Sequence, residues 1–378
     1  MFLNHCLGCT SSTSITPEDR PINGELLPSH LKHIAKELET SASEPNIINS
    51  LIDITNFAFR SIENKKAIGD HYLLFPLIKH MQSDRPNIQN HAINALIIVS
   101  AHPDNMRIIA TASTLDFLIQ KVSSQNKKNR AEAARLARII ITSGKHAHDM
   151  NSAKQITLIN TYLLDSNPLI KIECAKILDH QLEHNRLSLE MFNASSLSDS
   201  ITQLIQDHDE IVRQHGAKLA GKFAKDPTIK SHLIKNHVPS LLIELLNDID
   251  FQQDTLESLK PFLTGSPSIL SMDQPKYSLF KYCIELIKDE RDELRLLALQ
   301  MVLTLSSHIT SHKWRTIIAI RPLLKDSNHE IRTLTFTKMT EELTEDDINN
   351  HVKDPSIITD LENMAKDQQV LNHMRTHP

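Results

Sequence analysis

Glycine is scarce in this chain, with 7 in 378 residues, and aromatic residues make up only 4 %. Phosphate-cradling loops and doubly wound sheets need glycine at tight turns, and β-sandwiches alternate β-branched with aromatic side chains. Both classes are excluded. The four cysteines are too few for a disulfide framework. Cys174 and Cys283 sit inside apolar helical stretches and read as buried, reduced thiols, which points to a cytoplasmic setting. The net charge is −5, so nothing drives the whole chain toward nucleic acid or anionic lipid. No apolar run is long enough to span a bilayer, and the N-terminus lacks the basic region and long apolar stretch of a signal peptide.

Helical periodicity fills the chain instead. Apolar residues recur three and four apart in Leu204-Ile205, Leu219-Ala220-Phe223 and Leu294-Leu297-Ala298-Met301-Val302-Leu305. Before each such stretch comes a short polar turn. Its markers are Ser43, Asp84, Gln125, Asp165, Asp207, Asp248, Asp289 and Asp326, with gaps of 41, 41, 40, 42, 41, 41 and 37 residues. Helical units returning about every forty residues predict an all-α solenoid, whose core grows along one axis and whose length implies no division into several globular domains.

One unit reads Leu74-Phe75-Pro76-Leu77-Ile78, then Asp84, Ile88, Ala92, Ala95-Leu96, Asn105 and Ile108-Ile109. It resembles an armadillo repeat, with a Leu-Pro-opened second helix, a break, and a third helix carrying Ile, Ala and Ala-Leu. Later units resemble the related HEAT pattern: Asp207-Ile211-Val212-Arg213-Gly216-Ala217, Asp289-Leu294-Arg295-Ala298 and Asp326-Ile331-Arg332. In that superfamily the Asp ends one helix and caps the next, and the small residue lets helices approach closely. The resemblance implies a right-handed α-solenoid of about eight repeats over roughly residues 28 to 345. The expected organisation is a flexible segment over 1–24 with two cysteines, a repeat domain over 25–345, and a C-terminal capping helix and acidic tail over 346–378.

In armadillo proteins the third helices line a concave face, and residues four apart point into it. The resemblance places Asn94 and Ile98, Arg135 with Arg138 and Ile139, Lys176 and His180, Lys218 and Lys222, Gln300 and Thr304, and Thr337 and Glu341 there. The Trp–Asn ladder by which some members grip peptides is absent, and the only tryptophan is Trp314. What remains is a basic middle stretch, with Lys127, Lys128 and Arg130 at its start and an acidic C-terminal end running through Glu341, Glu342, Glu345, Asp346 and Asp347. A basic groove attracts an acidic, extended protein segment. The alternative is that these cations form a solvated face whose stems cover apolar neighbours.

The expected function is therefore a non-enzymatic adaptor without cofactor or metal. No nucleophile–base pair, paired carboxylates or phosphate cradle stands in a suitable context. His146, His148 and Asp149 lack a matched second pair of ligands. His102, His208, His215 and His237 fall at helix ends or turns. Two alternatives stay open. Cys6 and Cys9, beside Phe2, Leu3 and Leu7, suit dual acylation and a membrane-recruited scaffold, whereas Phe at position 2 rules out myristoylation. Broad surface contact would suit a regulator of a small GTPase or trafficking complex. The Ile-, Lys-, Asn- and His-rich composition also fits a bacterial effector acting in host cytosol. Oligomeric state does not follow from the sequence. The stretch Gly265–Met272, flanked by Pro275, departs most from the repeat.

Overall fold

The computed structural model describes residues 28–124, 129–143, 159–184, 189–263, 279–308, 313–343 and 356–365. Among these residues there is no β-strand. Contacts divide the chain into two compact units, 1–149 and 150–378.

The first unit contains α1 (Pro28–Thr40), α2 (Glu44–Arg60), α3 (Ile62–Asp70), α4 (Leu74–Met81), α5 (Pro86–Val99), α6 (Pro103–Ile109), α7 (Ala112–Val122) and α8 (Arg130–Thr142). Two short helices followed by a longer one make a repeat: α3, α4 and α5, then α6, α7 and α8. Short polar residues start the helices. Ser61 caps α3 by accepting from Asn64 N at 3.1 Å, Thr111 caps α7 by accepting from Thr114 N at 3.2 Å, and Pro86 and Pro103 open α5 and α6. Successive repeats are tied by buried amides. Asn105 Nδ2 donates to Lys65 O at 2.6 Å and Val99 O at 3.1 Å, and Asn129 Nδ2 donates to Pro86 O at 2.7 Å. Asn129 holds φ 63°, a left-handed conformation that asparagine tolerates, which turns the chain into α8.

The second unit contains helical residues 159–162, α9 (Pro168–Glu183), α10 (Ala194–Ile205), α11 (Glu210–Phe223), α12 (Pro227–Lys235), α13 (Val238–Leu245), α14 (Gln252–Leu263), α15 (Leu279–Leu286), α16 (Asp292–His308), α17 (Lys313–Ile320), α18 (His329–Glu342) and α19 (Ser356–Ala365). The third helices here are α9, α11, α14, α16 and α18. Their buried positions are mostly apolar or small, as with Ala217, Leu219, Ala220 and Phe223 on α11. Each fully buried Leu or Ile contributes about 1.5–3 kcal/mol. These cores hold the stack.

The polar turn does its work one step differently from the expected cap. The marker aspartates accept from the backbone two residues on: Asp165 from Asn167 N (2.9 Å), Asp207 from Asp209 N (2.9 Å) and Asp326 from Asn328 N (2.8 Å). The residue so positioned then caps the helix. Asn167 accepts from Leu169 N at 3.0 Å, Asp209 from Val212 N at 3.0 Å, and Asn328 from Glu330 N at 2.9 Å. The Asp folds the turn and its successor satisfies the helix donors.

The last described helix is tied to the stack by charge. Most of α19 is exposed, including Ile358. Asp360 sits between Arg321 at 3.1 Å and Lys325 at 2.9 Å, and Arg321 also donates to Ser356. Cys6, Cys9, Gln125, Lys127, Lys128, His146, His148, Asp149, the stretch 264–278, and residues 344–355 lie outside the described residues, as does the Trp314 side chain.

Cys174 and Cys283 are buried and unbridged, and burial pushes both thiols well above their ordinary range. With Cys6→Ser/Cys9→Ser as background, Ellman's reagent at mildly alkaline pH is expected to leave both unreacted in the folded chain. Guanidinium should release both. Rapid labelling of either before unfolding would show an open core.

Candidate functional site

Each third helix leaves one stripe of its surface uncovered, and the candidate residues lie on these stripes. In the first unit, α5 presents Asn87, Asn90, His91, Asn94 and Ile98, while Ile88, Ala92, Ala95 and Leu96 are buried. Steps of three and four keep such residues on one face. Asn94 Nδ2 donates to Asn90 Oδ1 at 3.5 Å. Burial lowers His91 from its usual value. On α8, Arg135 is exposed, and Arg138 and Ile139 are half-buried. α5 and α8 pack side by side, so the structure brings Asn94 and Arg135 onto adjacent stripes.

In the second unit the lysines are not bare. Lys176 meets Glu173 at 3.5 Å, one turn back on α9. Lys218 on α11 meets Asp254 of α14 at 3.0 Å, and Gln214 donates to the same carboxylate at 2.6 Å. Lys222 reaches back to α9 and sits between Asp179 at 2.5 Å and Glu183 at 2.6 Å. Burial works to lower the Lys222 ammonium, but its hydrogen bonds to Asp179 and Glu183 outweigh this and raise it. The Lys222 hydrogen bond in turn is the main cause holding Glu183 below the usual carboxylate range.

His180 stacks against His184 with ring centroids 4.2 Å apart, and its carbonyl accepts from His184 Nδ1 at 2.8 Å. His215 lies in the middle of α11, not at a helix end as its sequence context implies. Burial, then Lys176 and Lys218, push its imidazole below the ordinary value, and the opposing Asp179 and Glu173 do not offset them. His102 is at a helix end but acts as an acceptor, taking Asp104 N at 3.3 Å. Farther along, Gln300 accepts from Lys260 at 3.0 Å, Thr304 donates to the Gln300 carbonyl at 2.9 Å, and Thr337 and Glu341 stand on the open side of α18.

Sequence reasoning found the lysines and missed their partners. Glu173, Asp179, Glu183 and Asp254 occupy the same open stripes. Helical spacing alone puts Glu173 beside Lys176, but Lys218 and Lys222 pair across helices, with residues 36, 39 and 43 positions away. Among the described residues no group of three or more His, Cys, Asp or Glu could hold a metal ion. None of their helices is long and apolar enough to cross a membrane.

No protein-family profile matches the chain, and no curated protein matches it significantly. Solved structures do. An engineered protein aligns with TM-score 0.66 at 16 % identity, over 92 % of this chain and 89 % of that one. A computationally designed armadillo repeat protein for modular peptide recognition aligns at 0.53 and 14 % identity, over 61 % of this chain and 99 % of that one. A designed armadillo repeat protein in complex with the peptide (KR)4 aligns at 0.52 and 16 % identity, again over 61 % and 99 %. The chain folds as an all-α, armadillo-like repeat solenoid.

Proposed function

We propose that this protein is a non-enzymatic binding scaffold whose third-helix stripes take an acidic, extended segment of a partner protein. The observation that carries the reading is the half-exposed state of Lys176 and Lys218, whose side chains are 41 % and 37 % accessible and each of which meets one carboxylate. Exposed pairs of this kind are worth about 0–1 kcal/mol. An ammonium has three donors, so a ligand carboxylate can join the one each lysine already meets. Arg135 offers a further exposed cation in the first unit. Lys222 is different. Held between two carboxylates, it serves the packing of α9 against α11 and is the least available of the row. The designed neighbours support a peptide-binding use of this fold, since one was made for modular peptide recognition and one holds (KR)4. That second ligand is basic, so the acidic preference rests on the lysines of this chain alone.

The test uses fluorescein-labelled dodecapeptides, one of alternating Glu and Ser and one of alternating Lys and Ser, with the full chain. Binding of the Glu peptide is expected to weaken with salt and to fall at least about tenfold in Lys176→Glu/Lys218→Glu, with helical circular dichroism unchanged. Arg135→Glu, measured separately, reports on the first unit. Preference for the Lys peptide would overturn the reading.

A further inference from the structure

Lys176 and Lys218 share their stripes with exposed aliphatic side chains. On α9 the open positions run Leu169, Glu173, Lys176 and His180, and on α11 they run Ile211, His215, Lys218 and Lys222. Steps of four, three and four place each set on one helix face. Leu169 is 57 % exposed and Ile211 53 %. Both are the second residue of their helix, so they repeat in the same register as the two lysines. Ile249, 62 % exposed, stands in the turn that enters α14.

Neither stability nor solubility asks for an aliphatic residue there. The first turn of a helix favours acidic or polar side chains, because the backbone N–H groups give it partial positive charge. The second positions of α14, α16 and α18 follow that rule with Gln253, Glu293 and Glu330. Leu169 and Ile211 depart from it on the two helices that carry the half-exposed lysines.

We infer that these two stripes bind a segment carrying aliphatic side chains beside its carboxylates. The aliphatic groups cover Leu169 and Ile211, and the carboxylates meet Lys176 and Lys218. This rests on the acidic-segment reading and narrows it. A purely acidic partner would leave Leu169 and Ile211 in water and bind through screened, exposed charges alone. Covering the two aliphatic side chains adds to the affinity that such charges give.

The experiment is selection of a random dodecapeptide phage library on the immobilised full chain, followed by synthesis of the leading sequence. The expected winners combine Asp or Glu with Leu, Ile, Val, Met or Phe. The leading peptide should lose about tenfold in affinity in Leu169→Ser/Ile211→Ser, roughly what uncovering one or two aliphatic groups implies. It should also lose affinity in Lys176→Glu/Lys218→Glu. Both aliphatic positions are exposed, and Leu169→Gln/Ile211→Gln repeats the comparison with a better helix former. Acidic winners without aliphatic residues, or indifference to both aliphatic variants, overturn this inference and leave the acidic-segment reading standing. Basic winners, or no enrichment over blank support, overturn both.

Discussion

Replacing Asp326 by Ala is expected to lower the unfolding free energy by about 2–4 kcal/mol, among the largest losses available to a single substitution in this chain. Arg295, on α16, is almost buried and spends its whole guanidinium on this corner. Its Nε and Nη2 donate to the two Asp326 oxygens at 2.9 Å each, and Nη1 donates to the carbonyls of Asp289 at 2.9 Å and Glu290 at 3.0 Å. Nη2 also donates to Asp292 at 2.9 Å. The forked geometry matches a carboxylate with two parallel bonds. Removing Asp326 takes two charge-assisted bonds from an almost buried guanidinium, leaving it Asp292 and two carbonyls, and also removes the acceptor that orients Asn328, the cap of α18. The double variant Arg295→Met/Asp326→Asn keeps the turn acceptor and strands no charge, so it should recover a substantial part of the loss. Urea midpoints at constant slope measure all three chains. A loss below about 1 kcal/mol for Asp326→Ala would show that the pair is solvated and structurally idle.

The same pair makes stability depend on pH. Burial works to raise the Asp326 carboxyl, but the Arg295 hydrogen bonds, the Asn328 N–H and the charge of Arg295 and Arg332 outweigh it and hold it below its usual value. A carboxyl held low in the folded state stabilises above its unfolded value, near 3.9, and loses that contribution as pH falls through the folded value. The gap in stability between wild type and Asp326→Asn should therefore narrow below about pH 4. An unchanged gap from pH 7 to 3 would rule out Asp326 ionisation as its source.

Gly221→Val is expected to cost about 3 kcal/mol, for a reason of distance rather than charge. A Cβ at this position of α11 would lie 2.5 Å from Ser258 Cα, 2.9 Å from Ser258 Cβ and 3.0 Å from Ser258 O, mostly backbone of α14 that cannot swing aside. Overpacking of this kind costs about 1–3 kcal/mol, with the upper end reached when the added group is branched and rigid. Gly221→Ala sets two effects against each other. Alanine gains about 1 kcal/mol of helix propensity, and the clash should still prevail, leaving a net loss. A stabilised Gly221→Ala would mean that α11 and α14 are not in close contact here. The consequence extends to binding, because this contact sets the spacing between Lys218 on α11 and Asp254 on α14. Weaker binding of the Glu peptide to a still-folded Gly221→Ala chain would report that coupling.

The starts of α9, α11 and α18 are legible, because a turn marker, a capping residue and the first apolar periodicity all act within a few residues. Asp207, Asp209 and Val212 illustrate this: turn, cap and first buried position lie within six residues. The open stripe was also legible, since Asn94, Arg135, Lys176 and Lys218 follow from helical spacing around buried Ala and Leu. Even so, the repeat pattern implies Asp207 as the cap, because an acceptor two residues upstream serves either role until the backbone direction is known.

The repeat period, the all-helical class and the apolar stripe of each helix came from the sequence by itself, because turn markers and helical periodicity are local patterns that recur along the chain. The partners across helices were decided only by tertiary structure. Lys222 meets Asp179 and Glu183, Lys218 meets Asp254, and Asp360 meets Arg321 and Lys325. These pairs join residues 35 to 43 positions apart, and a shift of one helical turn in stacking would exchange every one of them without altering the period. Packing of residues such as Gly221 against Ser258 chooses that register, and with it which lysines are locked into the stack and which remain open to a ligand.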